Sequence, residues 1–109
     1  MGGTWDLFRY PGIRSDSDMH TLGYNFKPWR NAKAIADGPS IRDYIEETAV
    51  ENAIAQHIHY NRKVSSASWD SSSATWQVVT QHSDDSGSEA FSCNFLLMCA
   101  GYYSYQGGY

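Results

Sequence analysis

The stretch from Gly2 to Ser17 holds the residues best suited to contact a ligand. It combines glycine-assisted turns with a Trp, a Tyr, two Arg and two Asp, and no amphipathic period runs through it. Glycines let the backbone approach a bound molecule, and ligand contacts concentrate on loops held by a rigid scaffold. Burial alone does not explain this composition, so the sequence predicts a cofactor-contacting loop, named here the opening loop.

Asp16 is the carboxylate of the opening loop with a candidate chemical role. A neighbouring Arg14 or Arg9 would hold Asp16 ionised, because a nearby positive charge favours the charged form. Such a carboxylate can order an arginine or an amide group of a bound cofactor. The alternative is a structural role in which Asp16 caps a turn after Pro11 and Gly12. The residues alone leave both readings open.

Other groupings that could do chemistry are incomplete. His57 and His59 stand two residues apart in a predicted short strand, a spacing that a metal could use, but no Cys, Asp or Glu nearby completes a ligand set. The serines fall in turns without a usable Ser/His/Asp context. Neither a G-x-G-x-x-G nor a G-x-x-x-x-G-K-[ST] motif occurs in the sequence. We therefore predict no metal site.

One helix is expected to support the opening loop, over about residues 40–56. Ser40 follows a turn signal and can cap the helix, with Asp43 as a weak capping-box partner. Glu46, Glu47 and Glu51 should face solvent, and nothing apolar surrounds them to make an acid/base pair. The predicted buried face recurs at helical spacing and comprises Ile41, Tyr44, Ile45, Thr48 and Ala49, extended roughly by Ile54 and Ile58.

Strands are predicted over residues 57–60, 63–70, 74–81 and 89–100, with serine-rich turns between the later ones. The last ends in the continuous apolar run Phe95 to Ala100, which is typical of a strand buried on both faces in a parallel sheet. The aromatic segment 19–29 allows a short half-buried strand or an extended segment, and is either a lid over a core or a wall of a ligand pocket. The pattern indicates an α/β fold in which one main helix precedes an antiparallel β-meander and a buried parallel-type strand.

Composition excludes several classes of protein. The net charge of −4 arises from 8 basic and 12 acidic residues that are scattered, so neither a nucleic-acid surface nor an anionic-membrane surface is expected. The longest apolar run is far below the roughly 20 residues of a membrane span, and no secretion signal opens the chain. Cys93 and Cys99 would lie on the order of 20 Å apart along one strand, too far for a disulfide. They are expected to be reduced, buried residues of a cytoplasmic protein.

Several motifs resemble the flavin-containing monooxygenases and the Baeyer–Villiger monooxygenases. They are G-G-T-W from Gly2, R-Y-P-G from Arg9, and then Asp16. The similarity continues in F-K-P-W from Phe26 and in F-L-L-M-C-A-G-Y-Y from Phe95. It spans nearly the whole chain, and the first combination is the most specific.

This resemblance implies a fold, cofactors and an activity. The fold would be part of an FAD/NAD(P)-binding domain of the three-layer ββα type. The family uses NADPH to reduce FAD and inserts one oxygen atom of O2 into a small organic substrate, a ketone or a nitrogen or sulfur centre, through a peroxyflavin. The flavin carries the oxygen chemistry, while the protein orients the cofactors and excludes water.

The resemblance also implies roles for residues of this sequence. Asp16 matches the active-site carboxylate close to the flavin. The other matched positions are those along FAD (Thr4, Trp5, Asp6 and Leu7), those near the nicotinamide cofactor (Arg14 and Ser15), and the residue whose backbone meets the adenine ring (Val64).

The family pattern has parts that this sequence lacks. Its dinucleotide-binding βαβ unit should precede Gly2, its NADPH domain should follow Tyr109, and its peroxyflavin-stabilising arginine lies downstream. We therefore expect residues 1–109 to be an incomplete FAD-binding domain, partnered by other segments of the same protein and inactive without them. The alternative from another functional class is a small, non-enzymatic α+β binding or interaction module built from the helix and the meander.

Overall fold

The chain forms two units, Met1–Ile58 and His59–Tyr109, and the computed structural model describes residues 1–102. Tyr103, which closes the last of the motifs above, lies outside the described residues. The first unit contains the helices α1 (Thr4–Leu7), α2 (Met19–Leu22) and α3 (Gly38–Glu51) and a 3-10 turn (Ala55–His57). The second contains the strands β1 (Arg62–Asp70), β2 (Thr75–His82) and β3 (Ser88–Cys93).

The predicted main helix is α3, and Asp37 caps it. The Asp37 carboxylate accepts hydrogen bonds from the Ser40 backbone N–H at 3.0 Å and from the Ser40 hydroxyl at 2.7 Å. Pro39 fits the first turn, where no backbone N–H is needed. The prediction that Ser40 caps with Asp43 is therefore wrong, because the preceding carboxylate reaches the free N–H groups first. These bonds, foremost that from the Ser40 N–H, lower the pKa of Asp37 far below its usual range, and Lys33 adds to the effect.

Helix α3 ends at Glu51 instead of near Gln56. Ala53 adopts a left-handed conformation with φ of 55°. Its N–H bonds to the carbonyl of Val50 at 3.1 Å, and the next N–H, of Ile54, reaches back to Ala49 at 2.8 Å. This is the hydrogen-bond pattern of a Schellman motif, which closes a helix. The predicted helix is too long at its C-terminus, because the usual signal for the left-handed residue that ends a helix is glycine, and here that residue is Ala53.

The predicted buried face of α3 is confirmed in its first three turns. Ile41, Tyr44, Thr48 and Ala49 are buried, and Ile45 packs at the edge of the core. The core of the first unit is completed by residues from the segments before the helix, namely Met19, Trp29 and Ala36, with Trp5 packed against them. Residues 54 and 58 do not extend this helical face, because α3 has already ended.

Segment 19–29 forms a short helix and a tight turn instead of a strand. Met19 and Trp29 are buried in the core, whereas Tyr24 and Phe26 are exposed and stack at 5.2 Å. The Tyr44 hydroxyl fixes the turn: it accepts a hydrogen bond from the Tyr24 N–H at 2.8 Å and donates one to the Lys27 carbonyl. The strand expected from the alternation of apolar and polar residues does not form. Met19 and Trp29 enter the core, whereas Tyr24 and Phe26 form an exposed pair.

The predicted antiparallel meander is confirmed, with strand order β1-β2-β3. A bulge between Val64 and Ser66 changes the pairing register. As a result Val64 shares a face with Ala67 and Trp69, opposite Thr80, Val78 and Trp76 respectively. The simple alternation of the sequence places Val64 on the other face, because period 2 fails where a strand holds an extra residue.

The last strand is shorter than predicted. β3 ends at Cys93, and residues 95–102 have no regular secondary structure. Phe95, Leu97 and Met98 are between 72% and 78% exposed, so the described residues show no buried parallel-type strand. No described strand pairs with this run. Without a neighbouring strand and a covering layer, its backbone and its apolar side chains stay exposed to solvent. Cys93 and Cys99 are both free, but Cys99 is exposed where burial was expected.

The predicted strand over residues 57–60 is also wrong. Residues 55–57 form the 3-10 turn, and His59 packs edge-on against Phe91 of the sheet at 5.1 Å. No group of three metal-ligating side chains occurs within residues 1–102. None of the helices in this part of the chain combines the length and apolar character that a bilayer crossing requires.

Replacing Tyr44 with Phe should destabilise the first unit. The substitution removes a hydroxyl that pairs two backbone groups of the 24–27 turn, and such a loss costs about 1–2 kcal/mol. Urea unfolding and amide exchange of Tyr24 would measure it. Tyr10→Phe is the matched control, because that hydroxyl makes no hydrogen bond within residues 1–102. Equal stability of the two variants would contradict the assigned role of Tyr44.

Replacing Asp37 with Ala should cost about 1 kcal/mol of the free energy of unfolding at pH 7, as for other helix caps. Because folding lowers the pKa of Asp37, its stabilisation is complete at neutral pH, begins to be lost as pH falls below about 4, the ordinary pKa of aspartate, and declines further toward the lower pKa of the folded state. The difference from wild type should therefore shrink in acid. Urea unfolding at pH 7 and pH 3 tests this, with Asp43→Ala as control. A loss at Asp43 equal to that at Asp37 would show that the cap is misassigned.

Candidate functional site

The opening loop contains both of its expected glycine-assisted turns. Gly2 and Gly3 have φ values of 113° and 51°, conformations that other residues rarely adopt, and they lead into the single turn of α1. The Trp5 N–H bonds to the Gly2 carbonyl at 3.0 Å, and the Leu7 N–H bonds to the Gly3 carbonyl at 2.9 Å. Gly12, with φ of 84°, forms the second turn. The residues matched to FAD thus lie on a tight turn instead of an extended segment.

The second half of the opening loop pairs with residues 34–38, which lead into α3. We call this pairing the seam. Ser15 donates its N–H to the Ala36 carbonyl at 2.9 Å, and its hydroxyl oxygen accepts the Ala36 N–H at 3.1 Å. Farther along, the Met19 N–H reaches the Ala34 carbonyl at 2.8 Å. Asp16 therefore lies in a bend between two fixed points of the backbone.

Gly38 brings the opening loop close to α3. Its N–H donates to the Ile13 carbonyl at 3.0 Å. A Cβ atom at Gly38 would lie 2.8 Å from Cγ2 of Ile13 and 3.6 Å from Cε3 of Trp5. A side chain at this position would push the loop away, so a glycine is required for the observed contact.

Two of the predicted site residues already use their polar groups within the protein. The Asp6 carboxylate accepts a hydrogen bond from Arg9 at 2.6 Å and lies 3.5 Å from the guanidinium of Arg42. Ser15 is only 3% exposed, and its hydroxyl belongs to the seam. Their side chains support the loop.

Four other predicted residues keep polar groups without a partner in the described part of the chain. These groups are the Thr4 hydroxyl, the Trp5 indole N–H, the Arg14 guanidinium and the Asp16 carboxylate. Thr4 and Trp5 are half-buried, and Arg14 and Asp16 are exposed. Because Arg9 pairs with Asp6 and Asp16 makes no ion pair within residues 1–102, the expected pairing of Asp16 with an arginine is wrong. The alternative turn-capping bond of Asp16 is not observed there either.

The remaining two predicted residues present apolar side chains to solvent. Leu7 is 56% exposed at the end of α1, and Val64 is 57% exposed at the bulge of β1. Seven of the eight predicted positions belong to the opening loop in the first unit, and Val64 belongs to the second unit.

One of the two roles left open for segment 19–29, a wall of a ligand pocket, has a counterpart in a cleft of about 700 Å³ in the first unit, which is lined by residues 26–31 and by the exposed side of α3. Lys27 bonds there to Glu51 at 2.7 Å and to Glu47 at 3.3 Å. The bond to Glu51 is the main reason why the pKa of Lys27 is raised. These glutamates are therefore anchors of the 24–27 turn as well as surface charges. No local signal identifies them, since Lys27 is 20 or more residues away in sequence.

Arg42 also contacts the opening loop, and it was not identified from the sequence. Its place one helical turn after Gly38 is the signal that could have found it, because positions i and i+4 share a helix face. The small residue and the cation together mark the face of α3 that meets the opening loop.

Comparison with known proteins gives the site a family context. The chain is 51% identical over 109 residues to the putative FAD-containing monooxygenase MymA of Mycobacterium tuberculosis and 52% identical over 109 residues to the FAD-containing monooxygenase EthA of Mycolicibacterium smegmatis. Each alignment covers all of this chain and 22% of the relative. No family model matches the sequence.

A solved structure of an oxidised steroid monooxygenase bound to NADP is also similar, with a TM-score of 0.76 and 31% identity. The match covers 90% of this chain and 19% of that protein. The chain spans about a fifth of the length of the proteins it matches. Over that span, the chain is similar in sequence to relatives named FAD-containing monooxygenases and in fold to a steroid monooxygenase.

Proposed function

We propose that the chain is part of the FAD-binding domain of an NADPH-dependent flavoprotein monooxygenase, in which the opening loop contacts the cofactors. The observation that carries this proposal is the set of polar groups on the loop that have no partner among residues 1–102, while the loop backbone is held at the seam and at Gly38. Relatives of about 50% identity are named FAD-containing monooxygenases, which supports the choice of flavin.

The residues of the opening loop fit a polar cofactor in two ways. Thr4 and Trp5 offer a hydroxyl and an indole N–H toward FAD, on a turn that glycines keep open. Arg14 offers a cation to the nicotinamide cofactor, and Asp16 offers a carboxylate to the active site. Buried Ser15 lies between Arg14 and Asp16, so its role in this proposal is to fix both neighbours.

The proposed activity is insertion of one oxygen atom of O2 into a small organic substrate, a ketone or a nitrogen or sulfur centre. When bound, FAD supplies the redox and oxygen-transfer chemistry. The contribution of this chain is to bind the cofactors, to hold Asp16 in place and to help exclude water.

For the second unit we propose that the backbone of Val64 contacts the adenine ring, since this position lies at an exposed bulge. Residues 95–100 would become a buried parallel-type strand of a three-layer ββα domain once other parts of the protein cover them. The exposed apolar side chains of this run support that role, because surfaces of this kind mark interaction sites. The two free cysteines support a cytoplasmic location.

A chimera tests the proposed cofactor role. The matching segment of the M. smegmatis EthA protein is replaced by residues 1–109, and the purified chimera is assayed for bound flavin and for NADPH oxidation. We expect stoichiometric FAD and NADPH consumption, because the supplied segment keeps the loop and its frame. The 109-residue chain alone should show neither.

The equivalent chimera carrying the MymA segment is the control for the exchange itself. A chimera with this chain that folds as well as the control yet contains no flavin would contradict the proposal. Tight FAD binding and turnover by the isolated 109 residues would contradict the view that they are part of a larger domain.

Asp16→Asn in the same chimera separates the proposed role of this carboxylate from folding. Loss of one charge-assisted hydrogen bond costs about 1.5–3 kcal/mol, so NADPH-dependent flavin reduction should slow about 10- to 100-fold while the FAD content stays constant. Stopped-flow absorbance measures the reduction. Ser17→Ala, at the exposed neighbouring position of the same bend, should leave the rate unchanged. An unchanged rate in the Asp16 variant would exclude it from the site.

A further inference from the structure

Arg42 is the charged residue of α3 that lies against the opening loop. It stands one turn after Gly38 and shares its face of the helix. A Cβ atom placed on Gly2 would be 3.0 Å from Cγ of Arg42, so the arginine stem packs directly on the glycine turn. Its Nη1 lies 3.5 Å from Oδ1 of Asp6. Arg42 thus meets the turn at two points.

Asp6 connects Arg42 to the rest of the opening loop. The same carboxylate oxygen accepts a hydrogen bond from Nη2 of Arg9 at 2.6 Å, and Nε of Arg9 donates to the Asp6 carbonyl at 2.8 Å. The carboxylate therefore joins an arginine on the loop with an arginine on the helix. With both guanidiniums present, its charge is compensated within the protein.

Trp5 packs the turn against the core, and Arg42 adds an attachment on the Gly2 side of the turn. α1 has four residues, far fewer than an isolated helix needs for stability, and both glycines before it adopt left-handed φ values. Exposed ion pairs contribute little to global stability. The value of this network therefore lies in fixing the local geometry of the turn.

We propose that Arg42 is a positioning residue of the cofactor site, which holds the Gly2–Leu7 turn in its binding conformation through Asp6 and by packing on Gly2, without contacting the cofactor itself. This inference rests on the proposed function. It assigns Asp6 an indirect role, in contrast to the direct FAD contact implied by the resemblance.

Two variants test the network that joins Arg42, Asp6 and Arg9. Arg42→Met keeps an apolar stem over Gly2 but removes the charge, and Asp6→Asn removes the charge at the other end. In the cofactor-free 109-residue chain, amide exchange at Trp5, Asp6 and Leu7 measured by NMR should accelerate about 3- to 10-fold in either variant. In the EthA chimera, the dissociation constant for FAD should rise by a similar factor.

A double variant and an ionic-strength series distinguish positioning from a general loss of structure. If Arg42 acts through Asp6, Arg42→Met combined with Asp6→Asn should weaken FAD binding no more than Asp6→Asn alone, because that single change already removes the partner of both Arg42 and Arg9. The FAD affinity of the unsubstituted chimera should weaken with added salt, because salt screens the Arg42–Asp6 pair. The FAD affinity of the Arg42→Met chimera should depend less on salt. Arg30→Met is the matched control, since Arg30 is exposed and makes no ion pair within residues 1–102.

The outcomes separate this inference from the proposed function. Faster exchange together with weaker FAD binding supports the positioning role. Unchanged exchange, or faster exchange with unchanged FAD affinity, overturns it. Absence of flavin from the unsubstituted chimera would refute the proposed function, whereas the exchange measurement on the cofactor-free chain still decides whether Arg42 holds the turn.

Discussion

The seam between the opening loop and residues 34–38 is the interaction on which the first unit depends. Ser15 pairs with Ala36 through both its backbone and its hydroxyl, and the N–H of Gly38 closes on Ile13. Because the next residues begin α3, the seam fixes the loop to the one long helix of the unit. A segment without periodicity thereby acquires a defined backbone, which a ligand-contacting loop requires if its polar groups are to be preorganised.

The core of the first unit connects α3 to the 24–27 turn as well as to the opening loop. Tyr44 contributes its ring to the core and its hydroxyl to the 24–27 turn, so one side chain couples burial to turn geometry. Lys27 then ties the same turn to two glutamates one helical turn apart. Helix α3 therefore serves both loops, the opening loop through Gly38 and Arg42 and the turn through Tyr44.

In the second unit, local sequence signals suffice to form the meander but not to bury the apolar run that follows it. Its meander forms because alternating residues, turn serines and a Gly supply all the local signals for hairpins. The apolar run after β3 has no such local partner, and its side chains are exposed. A strand buried on both faces needs neighbouring strands and covering layers, which the described residues do not provide.

The sequence by itself determined the elements whose signals are local: the buried face of α3, the three strands of the meander and the two glycine turns. It also indicated the opening loop as the ligand-contacting segment, through composition and family motifs. Only the tertiary structure decided that Asp37 caps α3, that Asp6 binds Arg9 and Arg42, and that Asp16 lies in a bend without an ion pair to any described residue. These outcomes depend on which side chains meet across 20 or more residues, or on which of several nearby carboxylates reaches a donor first. Neither periodicity nor spacing carries that information, because side-chain partners are selected by packing.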